Sequence, residues 1–510
     1  MSAFRMGQKI KTERIQIKMK HGTDTRRAAL ALACVLMASA LFSCQSNVSN
    51  GENTGGADAT SAPTSDQDAS ENTEIADGLP VKDYGEKKFN ITVNSFCESG
   101  FFSEEISGDR LSDTIYDRNK TVEDRFNVKL NFISGQYGDL ATLIQKTVLS
   151  GEDEYQLLAQ HAITADAWVS AGILRNWYDV PYVDFEKPWW SSSNIDDLTY
   201  NNTAYLAVGD FSLTTIGRTY AIYYDKVFAE SYQLPDMYDL VDEGKWTIDK
   251  LSELSKDIYE DVNMDGKRDF GDFYGYSTST YSNIGAFFYS SGLKIIDDGE
   301  MVMDVGKTAD LLSKLISLAY DNVGTFYNKS YVNAEGNPNY VGAEKLAAGT
   351  TVFASAMIET GVNYLRSNEN DYGIIPYPKW DEEQSDYVTM VDGGFTILAI
   401  PKSVQDIEQA GIIAEALCAE TYRQVLPVYY NSALKEKGAR DERSVEMIDF
   451  IVSKRVFDFG YVYDGWKGFG FIVPELVRSK NSNVASYYAK NVSKVSAYYE
   501  SVFESFRESN

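Results

Sequence analysis

The sequence predicts an α/β fold of two or more lobes, and three observations carry that expectation. At 510 residues the chain is too long for one ordinary core. Its 44% hydrophobic and 24% charged content is that of a globular protein, not a disordered or fibrous one. From residue 87 onward, stretches that alternate with period two are separated by stretches of helical period, the pattern of a parallel sheet with crossover helices.

The first element is a targeting segment. Residues 1–27 carry eight Lys and Arg side chains, and 28–42 (AALALACVLMASALF) form an apolar stretch too short to span a bilayer and right for a secretory signal. Leu41-Phe-Ser-Cys44 follows and resembles the lipobox of bacterial lipoproteins, in which the cysteine is acylated and becomes the new N-terminus. The alternative is an anchor helix that is never cleaved. Removing residues 1–43, with eight basic and two acidic side chains, takes the charge from −28 to −34. Residues 44–86 are then the lipidated Cys44 and a disordered Ser, Thr, Asn, Asp and Gly-rich tether. The mature chain keeps Cys97 and Cys418, so one disulfide is possible and no framework exists.

The folded body opens with Phe89, Ile91 and Val93 alternating as a strand, a helix over 112–126 with Ile115, Val122 and Phe126 on one stripe, and a strand of Val128, Leu130 and Phe132. A helix over 139–149 and a strand over 155–159 complete the unit. In a parallel sheet, ligands sit beyond the carboxyl ends of the strands, which marks the loop 160–164 containing His161. Farther on, 221–226 is a strand running into a helix, and Thr247 is an N-cap. A helix over 309–320, extended segments over 372–380 and 393–401, and helices over 403–425 and 441–456 follow.

Composition excludes several functions. An acidic surface repels phosphate backbones, so no nucleic-acid partner is expected. His21 falls in the removed segment, leaving His161 alone, so multi-histidine metal sites are excluded. With 35 Tyr and 7 Trp, the chain is suited to meeting sugar rings or other flat apolar faces.

Over residues 87–510 the chain resembles extracellular solute-binding protein family 1, the substrate-binding lipoproteins of bacterial ABC importers. The match is to the oligosaccharide type and the branch common in Gram-positive anaerobes. The resemblance rests on Ala167-Trp-Val-Ser-Ala-Gly-Ile-Leu174, Ile222-Tyr-Tyr-Asp-Lys226 followed by Gly244-Lys-Trp-Thr247, Gly373-Ile-Ile-Pro-Tyr-Pro-Lys379 with Gln384 and Tyr387, and Ala399-Ile-Pro-Lys402, in that order. The run 415–458 also matches. It implies a two-lobed periplasmic-binding-protein-like fold of type II, with an interlobe cleft and hinge crossovers. Lobe 1 would be 87–217 and 393–440, and lobe 2 would be 218–392 and 441–510. It further implies a sugar ligand, a membrane permease as partner, no enzymatic activity, a monomer, and a place on the extracellular face of the cytoplasmic membrane.

Carried over position by position, the resemblance and the local sequence make His161, Asp210, Arg218 and Glu359 the polar ligand candidates and Trp189, Trp190 and Trp466 the stacking ones. Core packing is the competing reading for each Trp, a structural imidazole for His161, and a hinge salt bridge for Asp210 with Arg218.

A second motif stands without the family. Asp261, Asn263, Asp265, Lys267, Asp269 and Asp272, with Gly266 at the turn, fit the calcium-loop template throughout, Lys267 through its carbonyl; a structural calcium ion is expected, with a solvated acidic turn as the alternative. Gly306-Lys-Thr308 resembles the end of a phosphate loop, but Met301 stands where that loop needs glycine. An exported carbohydrate-active enzyme using a carboxylate pair remains the alternative function, and a surface adhesin the third.

Overall fold

The computed structural model describes residues 75–334, 336–365, 370–434 and 442–507. The signal segment 1–43, Cys44 and the tether up to residue 74 lie outside the described residues. Residues 75–86, expected to continue the tether, instead dock on the first lobe. Ile75, Leu79 and Tyr84 pack against its core, and Asp77 pairs with Arg125 at 2.6 Å and with Arg423 at 3.3 Å. Burial opposes the Asp77 charge, but these two guanidinium groups and the Leu79 N–H hold its carboxyl down at about 2. Three spaced apolar side chains and one carboxylate are enough to anchor a segment whose composition reads as disordered.

The first sheet is built as the alternation predicts. β1 (Lys87–Asn94), α1 (Arg110–Phe126), β2 (Val128–Gly135), α2 (Tyr137–Leu149) and β3 (Leu157–His161) follow in order, and β1 pairs in parallel with both β2 and β3. Phe89, Ile91 and Val93 are fully buried. The Asp109 side chain accepts from the Ser112 N–H to open α1, and Asn127 closes it in the left-handed region at φ 46°. β3 starts later than expected because Gln156 turns its Oε1 to the Asn90 N–H, and it runs on through His161.

The second sheet comprises β4 (Tyr220–Asp225), β5 (Tyr259–Glu260), β6 (Phe273–Ser277), β7 (Thr325–Phe326), β8 (Thr351–Met357) and β9 (Tyr372–Ile375). Its order is β9-β4-β8-β6-β5, with β7 also on β6, and β4 is antiparallel to both neighbours. β10 (Thr396–Ala399) then returns to the first sheet, antiparallel to β3. The chain therefore passes between sheets just before β4 and again just before β10. There Thr219 bridges Val391, and the Asp392 N–H donates to the Arg218 carbonyl at 2.9 Å.

Thr247 caps its helix, its Oγ accepting from the Lys250 N–H. The Gly306-Lys-Thr308 segment lies in the first turn of the helix Val305–Tyr320. The single helix expected over 403–425 is instead α3 (Ile407–Glu420), a π-helical turn (Thr421–Val425) and a further helix (Leu426–Leu434). Pro427 explains the break, since it has no N–H to donate four residues back. Cys97 and Cys418 are both buried and free, so they do not pair. Among the described residues no helix is long and apolar enough to cross a membrane.

Candidate functional site

The carboxyl ends of the first three strands each deliver one ring to the same place. Phe96 follows β1, Tyr137 follows β2, and His161 ends β3. The Tyr137 and His161 rings stack at 4.9 Å and 28°, and Phe96 meets His161 edge-on at 6.1 Å. Phe96 and Tyr137 remain 43% and 45% exposed, so each keeps part of its ring open to solvent.

Arg218 joins this aromatic wall to the crossovers and the second lobe. Its guanidinium lies 4.8 Å over the Phe96 ring, and Nη1 is 3.7 Å from Asp392 Oδ1. Asp392 is held in turn: Oδ2 accepts from the Tyr220 hydroxyl at 2.8 Å and Oδ1 from the Gly394 N–H at 2.9 Å. On the second-lobe side, Glu359 opens the short helix Glu359–Asn363 just beyond β8, and its Oε1 accepts from the Tyr340 hydroxyl at 2.8 Å. Burial works against the Arg218 charge, but Glu359, Tyr340 and Asp392 together raise its pKa above the ordinary value. Burial, aided by Arg218 and opposed by Asp392, pushes the His161 imidazole down to about 4, so it is neutral at physiological pH.

Several buried polar atoms here have no hydrogen-bond partner in the protein: His161 Nδ1, Arg218 Nε and both amide atoms of Asn94, the last residue of β1. Buried polar groups are nearly always paired, so these atoms keep hydrogen-bonding capacity that no protein group uses.

Of the residues singled out from sequence, His161, Arg218 and Glu359 are thus brought together. Trp466 is not among them and lines a separate cavity. It is 57% exposed, held at φ 63°, and stacked on Phe471 at 4.5 Å. Phe471 touches Tyr281 and Tyr461, and the Tyr461 hydroxyl accepts from the Gly393 N–H beside Asp392. Trp466, Tyr281 and Phe471 line a cavity of about 290 Å³.

Trp189, Trp190 and Asp210 are corrections. The two indoles are 0% and 2% exposed, and both N–H groups donate to the Glu415 carboxylate, at 2.8 Å and 2.6 Å. They are core residues of the first lobe and present no face to a ligand. Asp210 lies with them, its N–H on the Trp189 carbonyl, and its charged neighbour is Arg455 rather than Arg218. Burial, opposed by Arg455, pushes its carboxyl up to about 7.

Phe96, Tyr137, Asn94, Tyr340 and Asp392 were not singled out from sequence. For the first three the signal existed, because each sits at or just beyond the end of a predicted strand. Asp392 immediately precedes the extended segment that returns to the first sheet.

No family model matches the chain, and no curated protein does. Solved structures match over about four-fifths of it. A sugar transporter from Rhizobium etli in an open conformation aligns with a TM-score of 0.54 at 13% identity, covering 81% of this chain and 98% of that one. M. tuberculosis UspC aligns at 0.53 and 13%, covering 81% and 100%. An ABC substrate-binding protein from Listeria monocytogenes in complex with cycloalternan aligns at 0.51 and 11%, covering 83% and 99%. At these identities the likeness is one of fold. The chain has the two-lobed α/β fold of periplasmic-binding-protein-like solute-binding proteins.

Proposed function

We propose that this protein is the substrate receptor of an ABC importer. It is an exported lipoprotein, held by Cys44 at the extracellular face of the cytoplasmic membrane. It captures a carbohydrate of oligosaccharide type between its lobes and delivers it, as a monomer, to a membrane permease. The observation that carries this reading is the juxtaposition of Phe96, Tyr137 and His161 with Arg218, Asp392 and Glu359 where the lobes meet. Flat aromatic faces suit the C–H faces of a sugar ring, and fixed polar groups suit its hydroxyls. Similarity of fold to proteins solved with cycloalternan and with α-D-tagatose supports the same ligand class. The anchor rests on the basic, apolar and Leu-Phe-Ser-Cys44 order of the N-terminal segment.

The two carboxylates of the site are held by protein groups, Glu359 by Tyr340 and Asp392 by Arg218 and Tyr220, as fixed acceptors for ligand hydroxyls would be. Contacts from both lobes are complete only when the lobes close, so ligand shifts an open population toward a closed one, the form a permease can recognise.

A thermal-shift screen against a glycan panel tests the ligand class, and its hits are then incubated with the protein and analysed. Recovery of unchanged sugar with a more compact small-angle scattering curve is expected. Hydrolysed product would establish an enzyme instead. For the anchor, Cys44→Ala should leave the membrane fraction, and wild-type protein with an unmodified Met1 would overturn it.

A further inference from the structure

The segment Asp261-Val-Asn-Met-Asp-Gly-Lys-Arg-Asp-Phe-Gly-Asp272 joins β5 to β6 and takes no part in the site at the lobe junction. We propose that it binds one calcium ion. Oxygen-bearing side chains stand at its first, third, fifth, ninth and twelfth positions, a main-chain carbonyl serves at the seventh, and Gly266 at the sixth makes the turn at φ 71°.

Asp272, at the twelfth position, is the independent observation. It is fully buried, and its Oδ1 has no hydrogen-bond partner. Its Oδ2 accepts from the Asp269 N–H at 3.1 Å and from the Tyr259 hydroxyl at 3.2 Å, so the side chain is turned toward the loop and not away from it. A buried carboxylate oxygen is costly to leave bare. The neighbouring ammonium attracts this carboxylate through space but gives Oδ1 no hydrogen bond: Lys345 Nζ donates to the main-chain carbonyls of Phe270 and Asp272, at 2.9 Å and 2.7 Å. A cation held within the loop would cover that oxygen.

The rest of the loop is arranged for such an ion without being gathered on one. The Asp261 carboxylate accepts from the Asp265 and Gly266 N–H groups, Asn263 Oδ1 from Asp265, and Asp265 Oδ1 from Lys267. Among the described residues no group of three or more His, Cys, Asp and Glu side chains is drawn together as a metal site. Four carboxylates within twelve residues repel one another, and the backbone N–H groups hold them apart until a divalent charge removes that repulsion. Met264, at φ 58° and 89% exposed, leaves the loop open to solvent. Calcium accepts a flexible set of six to eight oxygens, whereas magnesium demands a compact octahedron, so the loop should prefer calcium.

The ion would act as a clamp. The Arg268 guanidinium bonds the Val323 and Thr325 carbonyls, and Lys345 ties the loop to the helix Val341–Ala347. Fixing the loop therefore fixes one edge of the second sheet.

The test uses the chelator-treated mature protein. Calorimetry with calcium chloride should show one site, and Tm should rise by a few degrees with calcium and less with magnesium. Terbium should occupy the same loop and luminesce when tyrosine is excited, because Tyr259 touches Asp272. Tyr259→Phe should reduce that luminescence while leaving calcium binding. Asp265→Ala, a change in an open surface loop that should fold, should weaken binding at least tenfold, and Asp272→Asn should do the same if it folds. Unchanged Tm and no calorimetric signal at about 10 mM calcium, beyond the millimolar range of weak extracellular sites, would overturn the proposal, as would wild-type affinity in Asp265→Ala.

Discussion

Arg218 and Asp392 are joined twice, once through their side chains at 3.7 Å and once through the main chain, where the Asp392 N–H donates to the Arg218 carbonyl at 2.9 Å. The first residue stands where the chain leaves the first lobe, the second where it returns. One pair thus ties the two crossover segments together beside the candidate site. Asp392→Ala leaves the guanidinium without one anion and strips the Tyr220 hydroxyl of its acceptor, and should cost about 2–4 kcal/mol of stability in urea unfolding. Arg218→Lys keeps the charge but loses the planar fork over Phe96, and should weaken sugar binding by about tenfold in calorimetry with a smaller loss of stability. Unchanged affinity would remove Arg218 from the site.

His161 gives the site a pH dependence whose sign follows from its burial. Its folded pKa, about 4, lies below the ordinary 6.5, so the unfolded chain binds more protons between those values. The stabilisation is present above pH 6.5 and is lost as pH falls toward 4. His161→Gln cannot titrate. Between pH 7.5 and pH 5 the wild type should lose up to about 2 kcal/mol relative to the variant. Parallel stability curves for the two proteins would contradict this.

The sheet of the first lobe was legible because Phe89, Ile91, Val93 and their counterparts alternate without interruption and the two helices between the strands carry apolar stripes, the first with an Asp109 cap as well. The carboxyl-end rule points to His161, which does end β3, and applied to every strand it points to Phe96 and Tyr137 as well. What the sequence could not show was depth. Trp189, Trp190 and Trp466 look alike in one dimension, and only packing separates two indoles bonded to a buried glutamate from one standing in solvent. Nor could it reveal Tyr340 beside Glu359, or Asp77 between two arginines, since those neighbours come from distant parts of the chain.

Glu415 is the buried carboxylate that fixes Trp189 and Trp190 in the core. Burial, only partly offset by the Trp190 and Trp189 N–H donors, pushes it up to about 7. A folded pKa above the unfolded one means its contribution is full below about pH 4.5 and is lost as pH rises through 7. Glu415→Gln offers a single acceptor to two indoles and should cost about 1–3 kcal/mol near pH 5. The gap to the wild type should narrow toward pH 8. Sugar affinity should not change, and a large loss of affinity without loss of stability would return the two tryptophans to the cleft.

Trp466 should behave in the opposite way. It is 57% exposed, and among the described residues its one close ring partner is Phe471, so truncation removes little buried area. Trp466→Ala should therefore leave the urea midpoint nearly unchanged. If the indole forms a stacking surface continuous with Phe471 and Tyr281, the same change should weaken oligosaccharide binding by about 1–3 kcal/mol, the range of aromatic contacts removed from binding surfaces. Chain length adds a second readout. The ring chain from Trp466 through Phe471 to the buried Tyr461 ends at the residue next to Asp392; a sugar long enough to extend from Arg218 to Trp466 would touch both, whereas a monosaccharide at Arg218 would not. The penalty of Trp466→Ala should consequently grow with the number of sugar units, while that of Tyr137→Ala, whose ring lies beside His161, should be felt by short and long ligands alike. Equal penalties at Trp466 for all lengths would place the indole next to the first sugar. No penalty at any length would leave it outside the site.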